Sequence, residues 1–202
     1  MYSKKKLLIW GIVLVLAMVT AVLSYNYILK NYNNDSSAQD TSSKLSISSV
    51  ADNASAGSQD DRVKAPDFTV YDRDGNEVSF ASLSGKPIIL NFWASWCGPC
   101  KSEMPEYQKM FEEYGDKIQF VFVNLTDGSR ETKTTAENFI NSSGYTFPVY
   151  FDLDMDAAGT YGISSIPTSL FIDSEGYIVD GYLGAMSETQ MRNFINEIYT
   201  GE

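Results

Sequence analysis

Residues 63–202 predict an α/β domain: a central mixed sheet flanked by helices, opened by an N-terminal β-hairpin. Three observations carry that reading. Ile88–Trp93 is a short, nearly continuous apolar run, the pattern of a strand buried on both faces. Met104, Tyr107, Phe111 and Tyr114 then recur at helical spacing. Strand and helix signals alternate through the middle of the chain and end in a hairpin and a capped helix. About 140 residues are enough for one ordinary core.

The elements follow in chain order. Lys4-Lys5-Lys6 precedes an uncharged stretch from Leu7 to Leu29, long enough to cross a ~30 Å hydrocarbon core at ~1.5 Å per residue. Tyr25 and Tyr27 suit an interfacial belt, and the basic cluster belongs on the cytoplasmic side. Residues 1–30 are therefore expected to form a transmembrane signal anchor. A cleaved signal peptide is the rival, although its apolar core is ordinarily shorter and Ala17 to Ser24 offers only weak cleavage sites. Residues 31–62 are rich in Ser, Asn, Asp, Ala and Gln and cannot bury enough surface to offset their ordering entropy. They read as a flexible linker, with a docking peptide around Leu45 to Val50 as the other possibility.

Within the domain, Phe68–Tyr71 and Val78–Phe80 flank Asp72-Arg73-Asp74-Gly75-Asn76, a hairpin signal. After the apolar strand and the first helix, Ile118–Leu125 reads as a second buried strand. Ala136, Phe139 and Ile140 suggest a helix stopped near Gly144. Pro148–Phe151 gives a short strand and Met155–Tyr161 a helical piece. Ser169–Ile172 and Tyr177–Tyr182 form a hairpin across Asp173-Ser174-Glu175-Gly176. Ser187 and Gln190 make a capping box, Met186 and Met191 a staple, and Phe194, Ile195 and Ile198 continue the buried face of a last helix.

Chemistry concentrates in Trp96-Cys97-Gly98-Pro99-Cys100. Cys97 and Cys100 are the only two cysteines, and the chain has no histidine. A zinc site lacks the Cys or His needed to complete four ligands, so no metal or other cofactor is expected. A static disulfide closing so short a loop would stabilise little. A redox-active dithiol fits best. The pair sits where a buried strand yields to a helix N-terminus, where free N–H groups favour a thiolate. Cys97, taken as the exposed first residue, should attack; Cys100, one turn in, should resolve the mixed disulfide. Pro99 suits an early helical position that needs no N–H. The formal net charge of −11 argues against nucleic acid and against docking on an anionic bilayer.

Phe92-Trp93-Ala94-Ser95-Trp96-Cys97-Gly98-Pro99-Cys100-Lys101 resembles the active-site segment of thioredoxins. Pro105 matches the proline of the thioredoxin active-site helix, and Ile166-Pro167-Thr168 the cis-proline loop facing the dithiol. The leading hairpin, the insertion from Thr126 to Tyr150 and the membrane tether resemble the TlpA/ResA-like branch of extracytoplasmic thiol-disulfide oxidoreductases. The resemblance implies a thioredoxin fold and a monomer whose partners are protein disulfides or dithiols and a membrane or extracytoplasmic electron donor. It implies a reducing direction, with cytochrome c maturation or general thiol homeostasis as the setting. Ile166 would offer its backbone to a substrate strand, and Trp96 would cover the disulfide.

Two positions bear on the proton. Asn91 stands where thioredoxins carry a buried Asp, and Asn cannot titrate. Glu103, three residues after Cys100, is characteristic of the ResA-like branch and is expected to handle the Cys100 proton. The alternative is a solvated first-turn Glu that only favours the helix dipole. Two other classes stay open. A peroxiredoxin-like thiol peroxidase shares Ala65–Phe68 and Gly85–Pro87, but the residues before Cys97 lack the peroxidatic Pro-x-x-x-Thr-x-x-Cys loop. A non-enzymatic redox-sensing or thiol-binding module is the other.

Overall fold

A computed structural model describes residues 62–201. The expected anchor (1–30) and nearly all of the expected linker (31–61) lie outside them. Among the described residues, no helix is long and apolar enough to cross a membrane.

The strands are β1 (Val63–Lys64), β2 (Thr69–Tyr71), β3 (Glu77–Ser79), β4 (Ile88–Trp93), β5 (Gln119–Asn124), β6 (Val149–Phe151), β7 (Thr168–Ile172) and β8 (Tyr177–Leu183). The α-helices are α1 (Gly98–Tyr114), α2 (Lys133–Ser143), α3 (Asp156–Thr160) and α4 (Glu188–Ile198), with a 3-10 turn at Phe80–Leu83. All eight strands join one mixed sheet in the order β1-β8-β7-β4-β5-β6-β2-β3. β4 lies between β5, parallel, and β7, antiparallel. The insertion supplies α2 and then β6, which joins β5 in parallel; the β2–β3 hairpin extends the sheet beyond β6. This is the expected thioredoxin-like fold.

Successive strand residues point to opposite faces, and here the two faces bury different cores. On one, Ile89 and Trp93 of β4, Phe120 and Phe122 of β5 and Phe171 of β7 pack with residues of α1, α2 and α4. On the other, Ile88, Leu90 and Phe92 meet Val121, Val123, Leu170 and Ile172, with Phe68 and Tyr161. The same alternation puts Asn91, Asn124 and Ser169, all buried, on the face covered by α1. Asn91 pairs in register with Ser169, and Trp93 with Asn124. Three polar side chains thus interrupt one apolar face around the middle of the sheet.

The helix ends are set by local chemistry. Gly144 ends α2 in the left-handed conformation at φ 73°, open to glycine without steric cost. Ser187 and Gln190 cap α4 reciprocally, and Met186 and Met191 are both buried beside it. The sheet edge is the main addition to the sequence reading. β1 is only two residues long and pairs Val63 with Ile178 and Lys64 with Tyr177. Arg62, assigned from sequence to the linker, lies over the Tyr177 ring at 3.9 Å and pairs with Glu175 at 2.6 Å.

Candidate active site

The buried run of β4 carries the chain into Ala94-Ser95-Trp96 and then α1. Cys97 is the N-cap of α1, with Gly98 and Pro99 in its exposed first turn. Cys97 and Cys100 are disulfide-bonded, with Cα atoms 5.3 Å apart. The Cys100 N–H donates to Cys97 Sγ at 3.2 Å, so the orphan donors of the helix start already point at the first sulfur. The Ile166–Pro167 peptide is cis, and the Ile166 carbonyl oxygen stands 3.7 Å from Cys97 Sγ. A disulfide sulfur has no proton to give, so this is a contact rather than a hydrogen bond.

One expectation needs correction. Cys97 is not the exposed cysteine that the sequence predicts: in the oxidised protein it is 4% exposed against 0% for Cys100. Its sulfur is bonded to Cys100 on one side and approached by the Ile166 carbonyl on the other. The two sulfurs differ in position: Cys97, the N-cap, lies against the Ile166–Pro167 loop, and Cys100 belongs to the buried stripe of α1.

Glu103 is 1% exposed, which removes the solvated alternative. It lies on the buried stripe of α1 with Cys100, Met104, Tyr107 and Met110. Its Oε1 accepts from Asn91 Nδ2 at 3.0 Å and its Oε2 from the Met186 N–H at 3.0 Å. Burial pushes its pKa from 4.5 up to about 8, against the two donors that pull it down. Asn91 Nδ2 also reaches Ser169 Oγ at 2.9 Å, and Ser169 Oγ shares a hydrogen bond with Tyr107 Oη at 2.8 Å. Burial, then the Glu103 charge, holds the Tyr107 phenol well above its ordinary range, so it stays a neutral hydrogen-bonding group. A proton-holding carboxyl therefore stands one turn from Cys100, at the head of a polar chain running under α1.

The second carboxylate at the site was not anticipated. Glu131 is fully buried, and its Oε1 accepts from the Ser95 N–H and Asn124 Nδ2, both at 2.9 Å. Its Oε2 accepts from Ser95 Oγ at 2.8 Å. It pins the insertion to the segment leading into the cysteines. The adjacent Arg130 lays its guanidinium 3.4 Å from the centre of the Trp96 ring, and Trp96 itself is 40% exposed. The only sequence hint was Asp127-Gly128-Ser129, a turn signal inside the insertion. Among the described residues, no group of three His, Cys, Asp or Glu side chains is placed to hold a metal ion.

Such an arrangement can exchange a disulfide: one sulfur near the surface, its partner inward, and a neutral acid behind the partner. The AhpC/TSA family profile matches residues 62–180. The thiol-disulfide oxidoreductase ResA of Bacillus anthracis is 35% identical over 135 residues, 67% of this chain and 76% of that protein. The chain belongs to the AhpC/TSA family, in its ResA-like branch. ResA of Bacillus subtilis is 34% identical over 139 residues, 68% of this chain and 75% of the relative. Among solved structures, StoA from Bacillus subtilis superimposes with a TM-score of 0.56 at 32% identity, covering 64% of this chain and 96% of that one. A thiol:disulfide interchange protein DsbE from Chlorobium tepidum gives 0.61 at 30% identity, covering 70% and 100%. The ResA-like branch is one of thiol-disulfide oxidoreductases, and this member is an oxidoreductase with a thioredoxin-like fold.

Proposed function

We propose that this protein is a membrane-anchored, extracytoplasmic reductant of protein disulfides, acting as a monomer through Cys97 and Cys100, with Glu103 as the proton carrier of Cys100. The observation that carries the reading is the buried Glu103 carboxyl one turn behind the inward sulfur, hydrogen-bonded and held neutral at pH 7. Topology rests on the uncharged Leu7–Leu29 stretch behind three lysines. The reducing direction rests on Gly98-Pro99, the dipeptide resembling that of reducing thioredoxins. Apocytochrome maturation is one setting consistent with the ResA-like branch, and general thiol homeostasis is another.

The reaction balances as follows. The Cys97 thiolate attacks a substrate disulfide, forming a Cys97–substrate S–S bond and releasing one substrate thiolate, which takes a proton from water. The ionised fraction of Glu103 is the minority form near pH 7, for a carboxyl whose pKa is pushed up to about 8. From that fraction the carboxylate takes the Cys100 proton and Cys100 attacks Cys97 Sγ; the second substrate thiolate leaves and is protonated in turn. Two electrons pass from the protein dithiol to the substrate. The oxidised protein keeps at Glu103 the proton that Cys100 released, which is the protonation state burial favours. An external dithiol donor returns two electrons, and the departing Cys100 thiolate recovers that proton from Glu103. Trp96 and the Ile166 backbone flank the attacked sulfur, where an extended substrate segment can pair.

The test uses the full chain in its reduced state with a disulfide-bonded protein such as insulin. Catalytic reduction with a regenerating dithiol is expected. Cys100→Ser should stall as a mixed disulfide mapping to Cys97 by mass spectrometry. Stoichiometric binding without turnover, or peroxide consumption with no disulfide reduced, would reject the reading.

A further inference from the structure

The feature of the site that dithiol exchange alone leaves unexplained is the cation on Trp96. Loop 127–131 is built to present it. Asp127 Oδ1 accepts from the backbone N–H groups of Ser129 and Arg130 at 2.7 Å and of Glu131 at 3.0 Å, and the Gly128 N–H closes the turn on the Glu131 carbonyl at 2.9 Å. Those bonds, chiefly from Glu131, hold the Asp127 carboxyl below its ordinary range, so it stays ionised and committed to the loop. Glu131 points the other way, into Ser95 and Asn124. Between these two anchors Arg130 is exposed and stacks on Trp96, the residue next to Cys97.

Both acids nearest Arg130 are thus occupied elsewhere. Arg130 takes part in none of the ion pairs within 4 Å among the described residues. Its charge makes only the smallest contribution to holding Asp127 down. A guanidinium on an aromatic face keeps its edge N–H donors free, and that edge fits a carboxylate in two-point fashion. In a chain of net charge −11, a cation fixed beside the reactive sulfur stands apart from the general surface.

We infer that Arg130, held on Trp96, is a specificity-determining residue that selects substrate segments carrying an acidic side chain beside the disulfide to be reduced. This rests on the reading of Cys97 as the attacking sulfur and adds the charge of its substrate. The acidic side chain docks on the guanidinium edge while the neighbouring substrate backbone passes along Trp96 and Ile166. Long-range attraction contributes to the encounter rate, so the preference is salt-dependent.

The experiment compares the reduced full chain with its Arg130→Gln, Arg130→Glu and Arg130→Lys variants on two disulfide-bridged peptides. The peptides are identical except for two Glu or two Lys flanking the cysteine, and initial rates are read at low and high NaCl. The wild type should reduce the Glu peptide about fivefold faster than the Lys peptide at low salt, a factor typical of one solvent-facing charge pair, with the ratio shrinking at high salt. Arg130→Gln should bring the ratio near one, Arg130→Glu should invert it, and Arg130→Lys should restore most of it. A wild-type ratio near one, or an unchanged ratio in Arg130→Gln with both rates reduced alike, would mean that Arg130 only props Trp96, and would overturn the inference. Failure of the wild type to reduce either peptide would overturn the exchange reading with it.

Discussion

Two glutamates lie buried on either side of the catalytic segment, and they are built for different tasks. Glu131 is surrounded by three donors, from the Ser95 backbone, the Ser95 hydroxyl and the Asn124 amide, and it joins segments 36 residues apart in sequence. Glu103 has two donors, stands one turn from Cys100, and is held neutral up to about pH 8. Burial alone therefore marks neither as catalytic. What separates them is how many donors hold the carboxyl in place and whether a group that gains and loses a proton lies nearby.

Removing the clamp should cost most. Glu131→Ala strips three hydrogen bonds and leaves the Ser95 N–H and the buried Asn124 amide without their acceptor. A loss of about 3 kcal/mol, roughly 10 °C in Tm, is expected by thermal unfolding of the oxidised protein. A loss below 1 kcal/mol would mean that water replaces the clamp without penalty.

Glu103→Gln should act on rate instead. Resolution of the Cys97 mixed disulfide is expected to slow by about 100-fold at neutral pH, the range of general acid–base catalysis, as read by rapid quench and mass spectrometry. Its effect on stability should depend on pH. The folded pKa of about 8 lies above the ordinary 4.5, so between those values the native state binds more protons than the unfolded state. Stability of the oxidised wild type is then fullest below pH 4.5 and falls as pH rises towards 8, by up to roughly 1.4 kcal/mol per unit from this group. Glu103→Gln should flatten that part of a Tm-versus-pH curve; an unchanged slope would assign it to other groups.

Asn91→Ala sharpens the contrast further. It removes one of the two donors that pull the Glu103 pKa down, so the Glu103 midpoint should move upward when followed by carboxyl NMR. The surface acids complete the series. Glu113 and Glu188 are lowered chiefly by their hydrogen bonds to Arg192, at 2.7 and 3.0 Å, in solvent. Arg192→Ala should leave the thermal midpoint essentially where it is and exchange rates unaltered, because solvent and salt screen these pairs.

Most of the scaffold was readable because its signals are local. The apolar run of β4, the helical spacing after Cys100, the Ser187–Gln190 box and the turn at Gly176 each declare themselves within a few residues. β1 escaped because Val63–Lys64 is too short to show a period and gains its strand character from β8. Glu103 could be singled out by its place after Cys100, but its burial could not, since an acid on an apolar helix face contradicts the pattern used to find the face. Glu131 and Arg130 were invisible for a different reason. Their partners, Ser95 and Trp96, lie across the fold, and no spacing rule links positions that only the sheet brings together. The burial of Cys97 is not legible locally, because the cis-proline loop that covers it lies nearly 70 residues away in sequence.

The most direct measurement is the pH dependence of mixed-disulfide resolution by Cys100, in the wild type and in Glu103→Gln. The wild-type rate should carry an inflection belonging to Glu103, and the variant should lose that inflection and remain slower across neutral pH. Superimposable profiles for the two proteins would contradict Glu103 as the carrier of the Cys100 proton.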